Sequence, residues 1–201
     1  GPARYVAYRH GCRVMGLELN RSRALAAARL TARVGLNKEV SFVCGDATCM
    51  PFESQTFTRV ISQEAFLHVG DKEALFDNCQ RVLTRGGRLT FTDWVASPRL
   101  SASERMLLSK GMAAIAIHQE DEYVSYLCAS GLSGIEVEDL SVWWAGILRK
   151  RLEMYRETSQ DTERLFGAAR YRAFMSAYEI FVGVIEEGKL GGARFTAWRL
   201  A

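Results

Sequence analysis

Between Val14 and Asp93, short apolar runs of strand length alternate with segments of helical period, and this alternation constrains the chain more than any other feature. Val14-Met15-Gly16-Leu17, closed by Glu18, has the form of a buried parallel strand that ends at a polar edge. Ser22 to Val34 are good helix formers, with Leu25, Ala28 and Arg29 to Ala32 as the expected apolar face and Gly35 as the stop. Val40 to Cys44 returns to strand and breaks at Gly45-Asp46, and Phe57 to Ser62 forms the next strand around Val60 and Ile61. Asp71 is placed to cap a helix carrying Leu75, Phe76, Cys79, Val82 and Leu83 at helical spacing, which Gly86-Gly87 should end before the strand Arg88 to Asp93. Strands and helices in this order predict an α/β domain with a parallel sheet covered on both faces.

Beyond Pro98 the pattern turns helical, around Ser103 to Ala116 and Asp121 to Ala129, with a strand at Ile135 to Leu140. Two longer helical stretches follow, Val142 to Thr158 and Asp161 to Glu187, and Gly191-Gly192 then introduces a last strand, Arg194 to Arg199. Residues 141–188 are too long for a turn and too apolar for a linker, so they read as a helical insertion that covers the site, within a single domain over 1–201.

The 201 residues are 48% hydrophobic and 24% charged with a formal charge of only +3, a composition that suits one globular domain. Basic residues are dispersed among acids, which gives neither a nucleic-acid footprint nor a membrane-surface helix and leaves small molecules as the expected partners. No apolar stretch reaches the roughly 18 to 20 residues that cross a bilayer, and no signal peptide opens the chain, so a cytoplasmic location is expected. Cys12, Cys44, Cys49, Cys79 and Cys128 form no C-x-x-C pair and are expected in the core, which argues against a disulfide framework or a zinc site.

In open parallel sheets ligands sit beyond the carboxyl ends of the strands, so the residues just after each strand are the informative ones. Glu18 stands where a carboxylate can accept both hydroxyls of an adenosine ribose, although nicotinamide enzymes use the same device. Gly45-Asp46-Ala47 ends the next strand, where the Asp46 side chain or adjacent backbone can meet the exocyclic amine of adenine; an ordinary Asx turn is the competing reading. Ser62-Gln63-Glu64-Ala65-Phe66-Leu67-His68 makes the third edge, with Gln63, Glu64 and His68 as its polar groups.

Taken with Gly11-Cys12-x-Val14-x-Gly16-x-Glu18, Arg81-Val82-Leu83-x-x-Gly86-Gly87-Arg88-Leu89 and Gly191-Gly192-Ala193-Arg194-Phe195, these edges resemble the class I S-adenosylmethionine-dependent methyltransferases of small-molecule type. Within that family the third edge is most similar to the sarcosine and dimethylglycine N-methyltransferases, with like stretches in phosphoethanolamine, tocopherol and sugar methyltransferases. The resemblance implies a Rossmann-like sheet with helices on both faces and S-adenosyl-L-methionine as cofactor. It implies cofactor contacts at Gly1, Glu18, Leu19, Asp46, Ala47 and Gln63, and catalytic or acceptor roles for Gln63, Glu64 and His68. In the family a glycine-rich loop follows a first strand; here Gly1 resembles that loop's last glycine, so the domain is expected to be truncated at its N-terminus, with an inactive fragment as the consequence.

A small amine is the acceptor this resemblance favours, with oxygen or carbon of an isoprenoid, phenolic or polyketide-like substrate as the alternative. Trp143 and Trp144 can hold a methylated ammonium by cation–π attraction or merely anchor the insertion, and Arg149 and Arg151 can meet a carboxylate or solvent. His68 can act as a base or as a packing residue. Met106, Met112, Ile115 and Ile117 are expected in the core. A nicotinamide oxidoreductase and a non-catalytic scaffold are the rival classes, and the intact strand edges and the closing antiparallel edge strand count against both.

Overall fold

The computed structural model describes residues 1–200, which divide into two compact units, Gly1–Glu53 and the chain from Ser54 onward. The first unit holds helix α1 (Pro2–His10), strand β1 (Val14–Glu18), α2 (Arg21–Arg33) and β2 (Val40–Cys44). Proline in the first turn and Gly11 in a left-handed C-cap delimit α1. Asn20 caps α2 by accepting from the Ser22 and Arg23 amides. β1 and β2 pair in parallel, Val14 opposite Val40 through Glu18 opposite Cys44. The buried face of α2 is Ala24 with Thr31; of the expected stripe Thr31 is buried, whereas Leu25, Ala28 and Leu30 are exposed. An alanine-rich helix offers little contrast in hydrophobicity around its circumference, so its packing partner selects the face.

The second unit is a four-stranded mixed sheet of order β3-β4-β6-β5, built from β3 (Phe57–Gln63), β4 (Leu83–Ala96), β5 (Leu132–Asp139) and β6 (Leu190–Arg199). β3 and β4 are parallel, whereas β6 runs antiparallel to both β4 and β5. The closing strand is thus antiparallel, as expected, and makes the sheet mixed. The last strand is interior rather than an edge, and β5 takes the edge.

Helix α3 (Lys72–Val82) is capped by Asp71 and presents the expected stripe, with Leu75, Phe76 and Cys79 at 0% exposure. It does not end at Gly86-Gly87: β4 begins directly at Leu83. The Arg199 guanidinium reaches the Gln80, Arg81 and Leu83 carbonyls at 2.9, 3.0 and 2.8 Å, so a cation from β6 takes the acceptors that a helix end leaves open. α4 (Ala102–Met112) opens with a Ser101/Glu104 capping box, and α5 (Glu120–Ala129) precedes β5.

Between β5 and β6 lie α6 (Ser141–Glu157), α7 (Ser159–Phe166) and α8 (Ala168–Glu186). The expected single helix from Asp161 to Glu187 is two helices, divided at Gly167 with φ 89°, a conformation only glycine adopts without strain. Gly192 lies inside β6, where a Cβ would stand 2.0 Å from the Trp144 ring; the glycine lets α6 lie against the sheet.

Strand alternation divides the core. Leu89 and Phe91 of β4 join Phe66, Phe76, Tyr123 and Phe195 on the α3/α5 side. Trp94 of the opposite parity stacks on Phe181 at 4.2 Å within the cluster formed with α6 and α8. Of the five cysteines only Cys79 is buried; Cys12, Cys44, Cys49 and Cys128 are exposed, so four are corrected from core to surface. Ile117 is buried and Met112 packs against the core, but Met106, on a helix with little amphipathic contrast, and Ile115, in the segment after α4, are exposed. Among the described residues no helix is long and apolar enough to cross a membrane.

Candidate active site

In the second unit, Ser62 pairs with Phe91 and Gln63 with Thr92, so the carboxyl ends of β3 and β4 open on one edge. Glu64 leaves that edge at φ 49° while its amide donates to the Thr92 carbonyl at 2.8 Å. A left-handed glutamate costs on the order of 1 kcal/mol. Here the strain turns the chain off β3 at the mouth of a cavity of about 380 Å³, whose wall includes Gln63, Glu64 and Thr92. Trp94, Trp144 and Phe181 make much of its apolar side, and α6 adds Trp143 and Arg151.

The polar atoms of this wall are unevenly satisfied. Thr92 Oγ1 is buried without a hydrogen-bond partner, and so, outside the lining itself, is the Tyr178 hydroxyl. Unpartnered buried polar atoms are rare in folded proteins, and beside a cavity they suit a polar ligand. Burial pushes the Tyr178 pKa up, Arg151 opposes that shift, and Glu64 adds to it, which puts this hydroxyl within electrostatic reach of both cavity charges. Arg149 and Arg156 of α6 pair with Glu186 and Glu179 of α8 at 2.7 and 2.9 Å. Arg194 pairs with Glu138, whereas Arg151 makes no ion pair among the described residues.

His68 ends a short 3-10 turn, Phe66–His68, and does not line the cavity. Its Nδ1 lies 2.8 Å from the Ala113 carbonyl, and since a carbonyl only accepts, Nδ1 carries the proton. Of the paired tryptophans Trp144 is buried, as an anchor would be, while Trp143 is 63% exposed at the cavity mouth.

Beneath the same edge sits a buried polar group that sequence reasoning missed. Asp93 is 0% exposed; its Oδ2 accepts from the Tyr123 hydroxyl at 2.7 Å and its Oδ1 from the Trp94 amide at 3.0 Å. Burial pushes its pKa up to about 6 against the opposing pull of these donors and of Lys72. Burial likewise lowers Lys72 to about 8, with Asp93 opposing. The one available signal was parity: Asp93 falls in step with Leu89 and Phe91, and so on the inward face. Lys72, just after a capping aspartate, reads as a solvent-facing first-turn residue and gave none.

The first unit carries the remaining candidates. Gly1 is the N-cap of α1. At the end of β1, Glu18 Oε1 accepts from the Asn20 amide at 2.9 Å, its carbonyl accepts from the Gly45 amide at 3.1 Å, and the Leu19 carbonyl faces Cys44 Sγ at 3.4 Å. Asp46 Oδ1 accepts from the Thr48 amide and hydroxyl, each at 2.8 Å, and these bonds hold its pKa below the usual value. The Asx turn is thus present, with Ala47 inside it. Adjacent parallel strands therefore bring Glu18 and Leu19 together with Asp46 and Ala47.

Residues 1–91 match the family model described as a methyltransferase domain. The chain is 29% identical over 175 residues to glycine/sarcosine/dimethylglycine N-methyltransferase of Actinopolyspora halophila, covering 87% of this chain and 31% of that protein. It is 30% identical over 166 residues to the chloroplastic tocopherol O-methyltransferase of Arabidopsis thaliana, covering 76% and 47%. The chain thus spans between about a third and a half of these relatives' lengths. Phosphoethanolamine N-methyltransferase 2 of Haemonchus contortus, solved with phosphomonomethylethanolamine and S-adenosylhomocysteine, shares the fold at a TM-score of 0.89 with 23% identity, over 100% of this chain and 47% of that one. Residues 1–91 thus resemble a methyltransferase domain, and the whole chain shares its fold with the solved phosphoethanolamine N-methyltransferase.

Proposed function

We propose that the chain takes part in S-adenosylmethionine-dependent methyl transfer to a small polar acceptor, an amine such as sarcosine or dimethylglycine. The observation that carries this reading is the cavity beyond β3 and β4, where one carboxylate, one guanidinium without an ion pair and an unpartnered hydroxyl stand in an apolar wall. The donor set suits the cofactor. Glu18 commits Oε1 to Asn20 and Asp46 commits Oδ1 to Thr48, which leaves the second oxygen of each for a ribose hydroxyl and an adenine amine. Leu19 and Ala47 offer backbone beside them, Gly1 caps α1, and Gln63 lines the acceptor cavity.

When bound, the cofactor supplies a sulfonium methyl already activated toward a lone pair, so the protein's work is alignment. Gln63 orients the acceptor. An ammonium must lose its proton before it attacks, and Glu64, which lines the cavity, is better placed to take that proton than His68, which does not. Arg151 meets an acceptor carboxylate, and Trp143 offers its ring to a methylated cation.

The apolar share of the wall, Trp94, Trp144 and Phe181 above all, favours a second reading in which the acceptor is the oxygen or carbon of a phenolic or isoprenoid molecule. The complete protein with labelled cofactor and a panel of sarcosine, dimethylglycine, phosphoethanolamine, phenols and isoprenoids decides between the two. Amine turnover that is lost in Glu64→Gln with cofactor binding retained supports the first; turnover confined to phenols or isoprenoids overturns it.

A further inference from the structure

Lys72 is 2% exposed, an unusual place for a lysine, and it forms no salt bridge among the described residues. Its Nζ instead donates to three carbonyls, Phe66 and Val69 at 2.7 Å and Ala116 at 3.1 Å. An ammonium has three protons, and each finds one acceptor. The first two carbonyls belong to the turn that follows the acceptor edge, and the third belongs to the segment after α4. The same two segments meet again where the Ala116 amide donates to the Leu67 carbonyl at 2.9 Å and where His68 donates to the Ala113 carbonyl at 2.8 Å. Ala113 itself is held at φ 55°, a strained conformation that needs support from its surroundings. The Tyr123 ring lies 5.7 Å from Nζ, and Asp93, bonded to the Tyr123 hydroxyl, supplies the counter-charge.

An apolar residue at this position would take this donor from the Val69 and Ala116 carbonyls and leave the Phe66 carbonyl with the Val69 amide alone, so the lysine is more than filler. Its bonds converge on one small element, the turn that carries His68, rather than on the sheet. We infer that Lys72 is a positioning residue of the acceptor edge: by tying the Phe66–Val69 turn to the segment 113–116, it fixes the turn that follows Glu64 and keeps His68 in the tautomer protonated on Nδ1. The consequence for turnover rests on the proposed methyl transfer, whereas the consequence for the imidazole does not. A neutral lysine has only two protons for three carbonyls, so the clamp belongs to the charged form.

Nitrogen-15 spectroscopy of the histidines in the complete protein tests this. Wild type is expected to show neutral His68 as a single Nδ1-protonated tautomer. In Lys72→Met, with binding of S-adenosylhomocysteine as the check on folding, a tautomer mixture is expected. The kcat for the accepted substrate is expected to fall roughly tenfold to a hundredfold with little change in KM for the cofactor, the size of loss that accompanies misalignment of about an ångström. A folded variant with the wild-type His68 spectrum overturns the inference. Unchanged turnover with an altered spectrum confines Lys72 to the imidazole and overturns its role in the reaction.

Should Lys72→Met fail to fold, wild type supplies the second measurement. The titratable groups facing Lys72 are Asp93 from β4 and Tyr123 from α5, with His68 on the turn it holds. As pH rises past the midpoint of the Lys72 Nζ resonance, the His68 signals are expected to move with that midpoint. His68 signals that stay flat through it refute the clamp, whatever substrate the protein proves to use.

Discussion

Asp93→Asn isolates the electrostatic cost of the polar group beneath the sheet. Burial pushes the Asp93 pKa to about 6, against 3.8 for an ordinary aspartate. At about 1.36 kcal/mol per pH unit, that difference amounts to roughly 3 kcal/mol between the folded and unfolded chains. Because the folded chain holds the proton more tightly, the stabilisation is complete below the unfolded pKa and is lost as pH rises through about 6. Asp46, Glu122 and Asp139 are shifted the other way and gain stability over the acidic range, but they are common to both proteins and cancel in the difference. Urea unfolding of the complete protein and of Asp93→Asn from pH 4 to 7.5, followed by tryptophan fluorescence, gives that difference directly. Wild-type stability minus variant stability should fall by about 2.5 kcal/mol between pH 4 and pH 7. Asparagine has one acceptor for the two donors that Asp93 satisfies, Tyr123 and Trp94, which adds an offset independent of pH. A difference that stays flat, or that grows with pH, refutes the buried charge.

Glu18→Ala should weaken S-adenosylhomocysteine binding by roughly 1 to 3 kcal/mol in the folded complete protein, the range for a charged hydrogen bond; calorimetry that finds equal affinity removes Glu18 from the ribose. Arg199→Met leaves three carbonyls at the end of α3 without their cation and should lower stability by about 1 to 3 kcal/mol, visible as an earlier denaturation midpoint at an unchanged slope. Gly192→Ala sets a methyl against the Trp144 ring and should cost about 1 to 3 kcal/mol; a variant as stable as wild type would mean that α6 can lift off β6 freely.

The order of elements was legible because each obeys a local rule. Periodicity named β1, β2 and β3, the Asp71 cap started α3, and Leu75, Phe76 and Cys79 carry the spacing that buries them. The strand ends placed Glu18 with Asp46, and Gln63 with Glu64, since a residue after a strand is local information. The buried face of α2 was not legible, because alanine offers almost no contrast around a helix. Nor was the end of α3, where the acceptors are taken by Arg199 from more than a hundred positions further along the chain.

The cavity shows the same division. Its carboxylate edge was readable, while the choice of Arg151 over Arg149 and Arg156 depended on which glutamates α8 brings to α6. Lys72 and Asp93 complete the contrast: nothing in its neighbours announces the burial of Lys72, parity with Leu89 and Phe91 alone hints at that of Asp93, and both owe it to carbonyls and a tyrosine hydroxyl assembled from distant segments. Periodicity and capping act within a few residues and are written in the chain, whereas a buried charge exists only where folding has already gathered enough partners to replace its water.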